Sequence, residues 1–333
     1  MPRQRLFAEL QLVNGSTGDP VVLMDYPDRD DALLLDAGDN SALSLSQLAD
    51  LRAVFISHHH VDHFIGLDRI VRANIDADKT VSIIGPPHTI QKVYDRIKSY
   101  DYQFFPFQKI VLDVVEVTED TIRSARLDCG RRFPTPEVLE QPRTSSVIFE
   151  TPTLQVEACQ ADHTVPCLSY AVIEKPGYYF DPAALDSSLL RPGQWIADVL
   201  SRLRRGSSLD ELIEIDGGQF TLKQLSTRFF SRSTGAKMAF ITDTAMSPVA
   251  RPRLLKLAER ATRLYCDSFY LDAQRNSAEK HRHSTARQAA EFAVDADVAE
   301  LVLIHFATRY KGGYGRLLDE ARRIFPQATA QIP

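Results

Sequence analysis

Four cysteines are all that the 333 residues contain, and Cys129, Cys159, Cys167 and Cys266 show no C-x-x-C spacing. They give no disulfide framework, so a reduced, cytoplasmic protein is the expectation. Long apolar runs are missing too. No stretch reaches the ~20 residues of a membrane-spanning helix, and the opening Met1-Pro2-Arg3-Gln4-Arg5 lacks the apolar core of a signal peptide. We therefore expect no membrane partner. Nor is there a surplus of positive charge: 39 Lys and Arg stand against 44 Asp and Glu, a net charge of −5. That balance argues against a generally basic nucleic-acid binder and leaves room for a local basic patch. No internal repeat, low-complexity tract or evident linker divides the chain. Apolar and charged fractions of 44% and 25% are ordinary for a soluble protein. The expectation is one large domain over residues 1–333, decorated by an irregular segment at about 176–235.

Histidine, by contrast, is concentrated. Ser57-His58-His59-His60-Val61-Asp62-His63 follows directly on the apolar run 51–56, so H-x-H-x-D-H closes what reads as a buried strand. Gly66-Leu67-Asp68-Arg69-Ile70 then begins a helical pattern. Three imidazoles and a carboxylate thus share one strand-to-helix loop, where scaffold-held functional groups concentrate. Imidazole suits borderline metals such as zinc, and a carboxylate adds charge and can bridge. The bland alternative is a solvated polar loop that happens to be rich in histidine. Matching residues downstream argue against it.

In chain order, 7–13 reads as a first strand, and 21–26 and 32–35 as a hairpin running into Asp36-Ala37-Gly38-Asp39. Residues 81–86 form another strand, followed by a helix with Ile90, Val93, Ile97 and Tyr100 on one face. His88, in the turn between them, has no motif around it and reads as structural or exposed. The aromatic stretch 100–107 reads as a packing stripe. Residues 109–160 carry alternating apolar segments, 110–117 and 146–151 among them, as the middle strands of a sandwich would, and His163 sits between two further strands. Segment 176–235 holds a helical piece at 192–205, a turn at Asp216-Gly217-Gly218, and the cluster Arg202, Arg204 and Arg205. Those guanidinium groups could meet phosphates as forked donors, or could line a solvated mixed-charge helix. Three more apolar strands follow. One ends in Asp243, one runs through Asp267, and one delivers His305-Phe306-Ala307-Thr308-Arg309-Tyr310. Before the last, His283-Ser284-Thr285 opens a helix with Ala289, Ala290 and Ala293 on one side.

H-x-H-x-D-H after an apolar strand resembles the signature of the metallo-β-lactamase superfamily. His283-Ser284-Thr285 before an alanine-rich helix, and then H-F-x-x-R-Y, resemble the ribonuclease Z family, which trims the 3′ trailer from tRNA precursors. Phosphodiesterases and arylsulfatases are its near relatives. The likeness runs from Asp36 to Tyr310. It implies an α/β fold, an αβ/βα four-layer sandwich of two mixed sheets with helices outside and a two-metal site at one edge. Carried over residue by residue, it implies that His58, His60 and His163 hold one ion, that Asp62, His63 and His305 hold the other, and that Asp243 bridges both. Asp36 would support the metal loop from behind. Asp62 would orient or deprotonate the attacking water, and His283 would give a proton to the leaving alkoxide. Two divalent transition-metal ions are implied, zinc first, with manganese or iron as alternatives, and so is a homodimer.

Four departures bear on the substrate and not on the ligands. The glycine-rich opening survives only loosely in 12–20, the family's E-G becomes Asp39-Asn40, the serine of H-F-S-x-R-Y is Ala307, and a glutamate appears as Asp267. Between His163 and Asp243 there is no long, basic, Gly/Pro-rich arm. The expectation is a phosphodiesterase or endoribonuclease of ribonuclease Z type acting on a tRNA precursor, with Arg202, Arg204, Arg205 and Arg309 as candidate phosphate contacts. The alternative is the same chemistry on a small phosphodiester or sulfate ester. A non-catalytic nucleic-acid-binding member is disfavoured, because a binding module has no use for seven intact ligand positions. A di-iron redox relative would carry acidic substitutions among the histidines and an added flavin domain.

Overall fold

The computed structural model describes residues 6–26, 31–102, 107–185 and 188–333. The opening residues 1–5, the hairpin tip 27–30 and the middle of the aromatic stretch, 103–106, lie outside the described residues, as do 186–187.

The first sheet has eight strands in sequential order. They are β1 (Glu9–Leu12), β2 (Val22–Asp25), β3 (Ala32–Leu35), β4 (Leu51–Phe55), β5 (Thr80–Gly85), β6 (Val111–Val117), β7 (Thr121–Asp128) and β8 (Leu139–Pro142). β3 to β6 run parallel, and antiparallel strands flank them on both sides. The chain then enters a second sheet through β9 (Val147–Glu150), β10 (Leu154–Gln160) and β11 (Leu168–Glu174). It leaves for an insertion of β12 (Gly177–Phe180), β13 (Leu212–Ile215), β14 (Gly218–Thr221) and β15 (Phe230–Ser233). It returns as β16 (Lys237–Ile241), β17 (Arg263–Asp267) and β18 (Glu300–Ile304), completing the order β18-β17-β16-β11-β10-β9.

Two-residue alternation sorts side chains into layers. Leu33 and Leu35 of β3, and Ala53 and Phe55 of β4, face Met238 and Phe240 of β16 and Val302 and Ile304 of β18 between the sheets. Their neighbours Leu34 and Val54 point outward, under helices α1 (Leu45–Ala49), α3 (Leu67–Asn74) and α4 (Thr89–Lys98). The short α2 (Val61–Phe64) precedes α3. On the opposite outer face, Ala239, Ile241, Leu301 and Leu303 pack under α7 (Arg251–Ala258), α9 (Ala286–Asp295) and α10 (Gly315–Arg322). The result is the expected four-layer αβ/βα sandwich. Ala289, Ala290 and Ala293 are small because α9 lies close on the sheet, and all three are wholly buried.

Three local readings change. Tyr100 does not continue the α4 face: the helix ends at Lys98 and Tyr100 is exposed. Residues 109–160 supply β8 and β9 at sheet edges as well as interior strands. The segment read as irregular is regular. β12 and β15 pair as a stem, α5 (Trp195–Arg204) and α6 (Leu222–Phe229) pack together, and β13–β14 turn at Asp216 and Gly217, both at positive φ as a tight hairpin requires. Trp195, Val199, Leu203, Ile213, Leu222 and Phe229 give the insertion a core of its own.

The loops after β3 and β4 lock back to back. Ala37 donates to the His63 carbonyl and Gly66 donates to the Ala37 carbonyl, at 3.0 and 2.7 Å. A Cβ on Gly66 would lie 2.2 Å from the Gly38 carbonyl oxygen, a backbone atom that cannot step aside. Gly66→Ala is accordingly expected to cost stability at or above the upper end of the ~1–3 kcal/mol typical of overpacking. Denaturant melts check this, and a loss inside the ordinary surface-mutation range would sink the close-packing account.

Candidate metal centre

The polar residues that end apolar strands meet at one edge of the sandwich. Asp36 follows β3, Ser57 to His63 follow β4, His163 follows β10, Asp243 follows β16 and His305 follows β18. Asp267 is the last residue of β17. Parallel strands bring their carboxyl ends to the same edge, which is where open α/β sheets place ligands. Asp36, Asp243 and His305 sit at φ 59°, 43° and 62°. This left-handed conformation costs non-glycine residues about 1–3 kcal/mol each and is typically retained at functional sites. Here it turns the chain sharply just past the strand.

Asp243 is the hub. Its Oδ1 lies 3.4 Å from His63 Nε2 and 3.0 Å from His305 Nδ1; its Oδ2 lies 3.7 Å from both His58 Nε2 and His163 Nε2. His60, His58, His163 and Asp243 form one cluster able to hold an ion. Asp62, His63 and His305 form a second, and Asp243, His283 and His305 a third that overlaps both. All seven residues expected as ligands are therefore brought together.

Hydrogen bonds behind the ring fix which nitrogen points inward. His63 Nδ1 donates to Asp36 Oδ2 at 2.7 Å. Ser57 Oγ donates to the same oxygen at 2.7 Å, so at 3.0 Å it accepts from His58 Nδ1. One carboxylate thus orients two histidines, one directly and one through a serine, and both turn Nε2 toward the centre of the ring. His163 Nδ1 donates to the Arg282 carbonyl at 3.1 Å, with the same consequence. Such partners set tautomer and ring orientation at metal sites. Asp36 stands where the resemblance put it. Ser57 had been given no role.

Charge is the second signature. Burial works against a proton on His63, but Asp243 and Asp36 outweigh it and hold its pKa near 10. Burial opposes charge on His305 too, and Asp243 again prevails, raising it well above the usual range. His58, buried with His63 beside it, is pushed down to about 2. Burial would raise Asp243, yet His305 and His63 draw it well below an ordinary carboxylate. Acidic side chains therefore outnumber fixed positive charge at the centre, and histidines take up protons to answer them. Metal ions would replace those protons. Three buried ring nitrogens, His58 Nε2, His63 Nε2 and His305 Nδ1, have no hydrogen-bond partner among the described residues. A converging set of buried, unpartnered nitrogens around the Asp243 carboxylate fits a divalent cation.

His283 stands beside the ring. Its Nδ1 lies 3.1 Å from Asp267 Oδ2 and 3.9 Å from Asp243 Oδ2, and the Phe269 ring stacks on it at 4.3 Å. Burial would lower its pKa, but Asp267 raises it. Asp267 is the site residue that the sequence reading left without a role. It also accepts from the Ser284 amide at 3.0 Å. Its signal was available: a carboxylate ending an apolar strand, as Asp243 nearly does.

The remaining histidines are peripheral. His59 Nε2 meets Thr89 Oγ1 at 3.0 Å, His281 Nδ1 meets the Tyr270 hydroxyl at 2.9 Å, and His88 is an exposed residue at φ 77°. Among the arginines, Arg309 lies 5.0 Å over the Tyr270 ring, itself 6.3 Å from His283, and so stands near the ring. Arg202, Arg204 and Arg205 lie on or just after α5, which packs on β12 and α6. Arg202 has partners within the insertion. It pairs with Asp198 at 3.0 Å and with Glu211, so its charge is answered within the insertion. Arg204 and Arg205 are exposed.

Comparisons with known proteins place the chain among named relatives. A family model described as "Anti-Pycsar protein Apyc1" matches residues 21–99. The chain is 30% identical over 304 residues to a protein named Ribonuclease Z from Deinococcus radiodurans, across 89% of this chain and 88% of that one. The metallo-β-lactamase fold protein YhfI from Bacillus subtilis is similar in structure with a TM-score of 0.54 at 15% identity, over 96% of this chain and 93% of its own. Human tRNase Z, short form, gives 0.52 at 17% identity, over 91% and 92%. The two structural likenesses are likenesses of fold.

Proposed function

The chain belongs to the ribonuclease Z family of metal-dependent endoribonucleases, and on that premise we propose which of its residues carry the reaction and on what substrate. The observation that carries the reading is the ring of Asp62, Asp243 and five histidines at the carboxyl ends of the strands, with unpartnered nitrogens at its centre. His58, His60, His163 and Asp243 Oδ2 would hold one divalent ion, and Asp62, His63, His305 and Asp243 Oδ1 the other. Zinc is the first choice given the imidazoles, with manganese or iron as alternatives. When bound, such a pair supplies a water of lowered pKa and neutralises charge building on the phosphate.

The chain's own groups do the rest. Asp62 is the most open of the ring carboxylates, its side chain 37% exposed, and is placed to orient the attacking water and accept its proton. His283 has its Nδ1 occupied by Asp267, which leaves Nε2 to give a proton to the departing alkoxide. Asp36 and Ser57 hold two ring histidines in the tautomer the site needs.

A tRNA precursor cut at its 3′ trailer is the proposed substrate. Arg309 is the first phosphate contact, with Arg204 and Arg205 as outlying ones. Each phosphate contact adds roughly 0.7–0.9 to the log–log salt slope of binding. Replacing Arg204 and Arg205 by alanine should flatten that slope and leave turnover of a small chromogenic diester alone. One observation favours a second reading. The insertion answers Arg202 with two carboxylates and presents a mixed-charge surface, so a small phosphodiester or sulfate ester is the alternative. Metal analysis combined with parallel turnover of precursor tRNA and a chromogenic phosphodiester separates the two. Good turnover of the diester without precursor cleavage or salt-sensitive tRNA binding transfers the function to the small ester. We also propose a cytoplasmic homodimer, to be checked by light scattering and fractionation; among the described residues no helix is long and apolar enough to cross a membrane.

A further inference from the structure

We propose that Arg282 is a positioning residue for the first ligand set, and that its pairing with Asp162 serves to hold His163 in place; this rests on the two-metal reading above. Arg282 caps α8 (Arg275–His281) in the left-handed conformation, φ 59° and ψ 45°. Glycine takes this position without strain, and a side chain there is disfavoured. An arginine is present nonetheless, and it makes two ties to one short loop. Its carbonyl accepts from His163 Nδ1 at 3.1 Å. Its Nη1 donates to both oxygens of Asp162, the adjacent residue, at 2.9 and 3.0 Å.

Neither tie is explained by fold stability. The ion pair is 49% and 21% exposed, and pairs that open to solvent contribute little. What the pair does is geometric. The Asp162 amide donates to Thr244 Oγ1 at 3.0 Å, and Ser284 Oγ donates to the Thr244 carbonyl at 2.6 Å. Three loops, carrying His163, Asp243 and His283, are thereby joined through residues that touch no reacting atom. The Arg282 guanidinium adds a tie from α8 to this unit at its partly exposed surface. Without it, the segment bearing His163 is free to move relative to α8, and the Nδ1 bond that fixes the ring weakens. The effect should fall on the ion held by His58, His60 and His163, not on the one held by Asp62, His63 and His305.

Arg282→Gly tests this directly, because it keeps the carbonyl, suits the backbone and removes the side chain that carries the guanidinium. Zinc is titrated against a competing chromogenic chelator, and the melting temperature of the metal-free protein is measured in parallel. One of two zinc equivalents should weaken by roughly 10–100-fold, as for lost partners of metal ligands. The other should hold, and the metal-free melting temperature should stay level or rise. Asp162→Asn should weaken the same equivalent, and the double variant should be no worse than the poorer single one. Unchanged affinities, losses that add, or a melting temperature that falls with both equivalents would each overturn the proposal. A wild type that takes up no zinc overturns the two-metal reading and this role with it. A wild type that binds two equivalents, beside variants that bind both as tightly, overturns this role alone.

Discussion

Asp243→Asn is expected to remove both metal ions together and to lower phosphodiester hydrolysis by roughly 10³-fold or more, since metal stabilisation of the transition state is worth several kcal/mol. Asparagine is the informative replacement. It keeps the volume of the side chain and tolerates the left-handed backbone that Asp243 adopts at φ 43°, so the strand end should keep its shape. What it removes is negative charge at the one residue whose two oxygens face different ligand sets. Oδ1 faces His63 and His305, and Oδ2 faces His58 and His163. Asp62→Asn is the control. Among the described residues the Asp62 carboxylate pairs with His63 and His305, at 3.5 and 3.4 Å, so its loss should weaken one ion and spare the other. Elemental analysis after chelator-free purification reads the stoichiometry. If Asp243→Asn retains two tightly held ions, the shared role assigned to Asp243 is wrong.

The parts of this site legible in the sequence are those whose signal is local. H-x-H-x-D-H could be read because one loop carries four of the seven ring residues and a buried strand stands before it. Asp243 and His305 could be read because each follows an apolar strand. Asp267 has the same local signal, but its meaning depends on His283, sixteen positions later and on the far side of α8. A pair of that kind is visible only once α8 has folded back. The left-handed backbone at His305 was not legible either: histidine is enriched in that conformation, but only a small minority of histidines adopt it, so the residue type alone does not mark the position. The insertion was misjudged for another reason. Its strands are four residues long, too short for alternation to stand out from a mixed-charge background. The pairing of Arg202 with Asp198 was available, since four residues on a helix bring the two together. Reading it would have set Arg202 apart from Arg204 and Arg205.

His283→Ala should leave both ions bound and the fold intact, yet slow cleavage of a poor, alkoxide-like leaving group by about 10²–10⁴-fold, the usual worth of general acid catalysis. The geometry supports this separation. His283 does not belong to either of the two main ligand sets, and its nearest carboxylate is Asp267 at 3.1 Å, with Asp243 further off at 3.9 Å. A p-nitrophenolate leaves readily without a proton, so the same variant should lose much less on that substrate. Asp267→Asn should follow the same pattern, weaker in degree. It keeps the shape around the Ser284 amide and removes the charge that keeps a proton on His283. The contrast between the two leaving groups carries the test, because a residue that merely shapes the cleft affects both alike. Equal losses on both esters, with metal content unchanged, would remove His283 from the acid role and leave it a positioning residue stacked under Phe269. Loss of metal in His283→Ala would instead promote the third cluster, Asp243, His283 and His305, to a true ligand set.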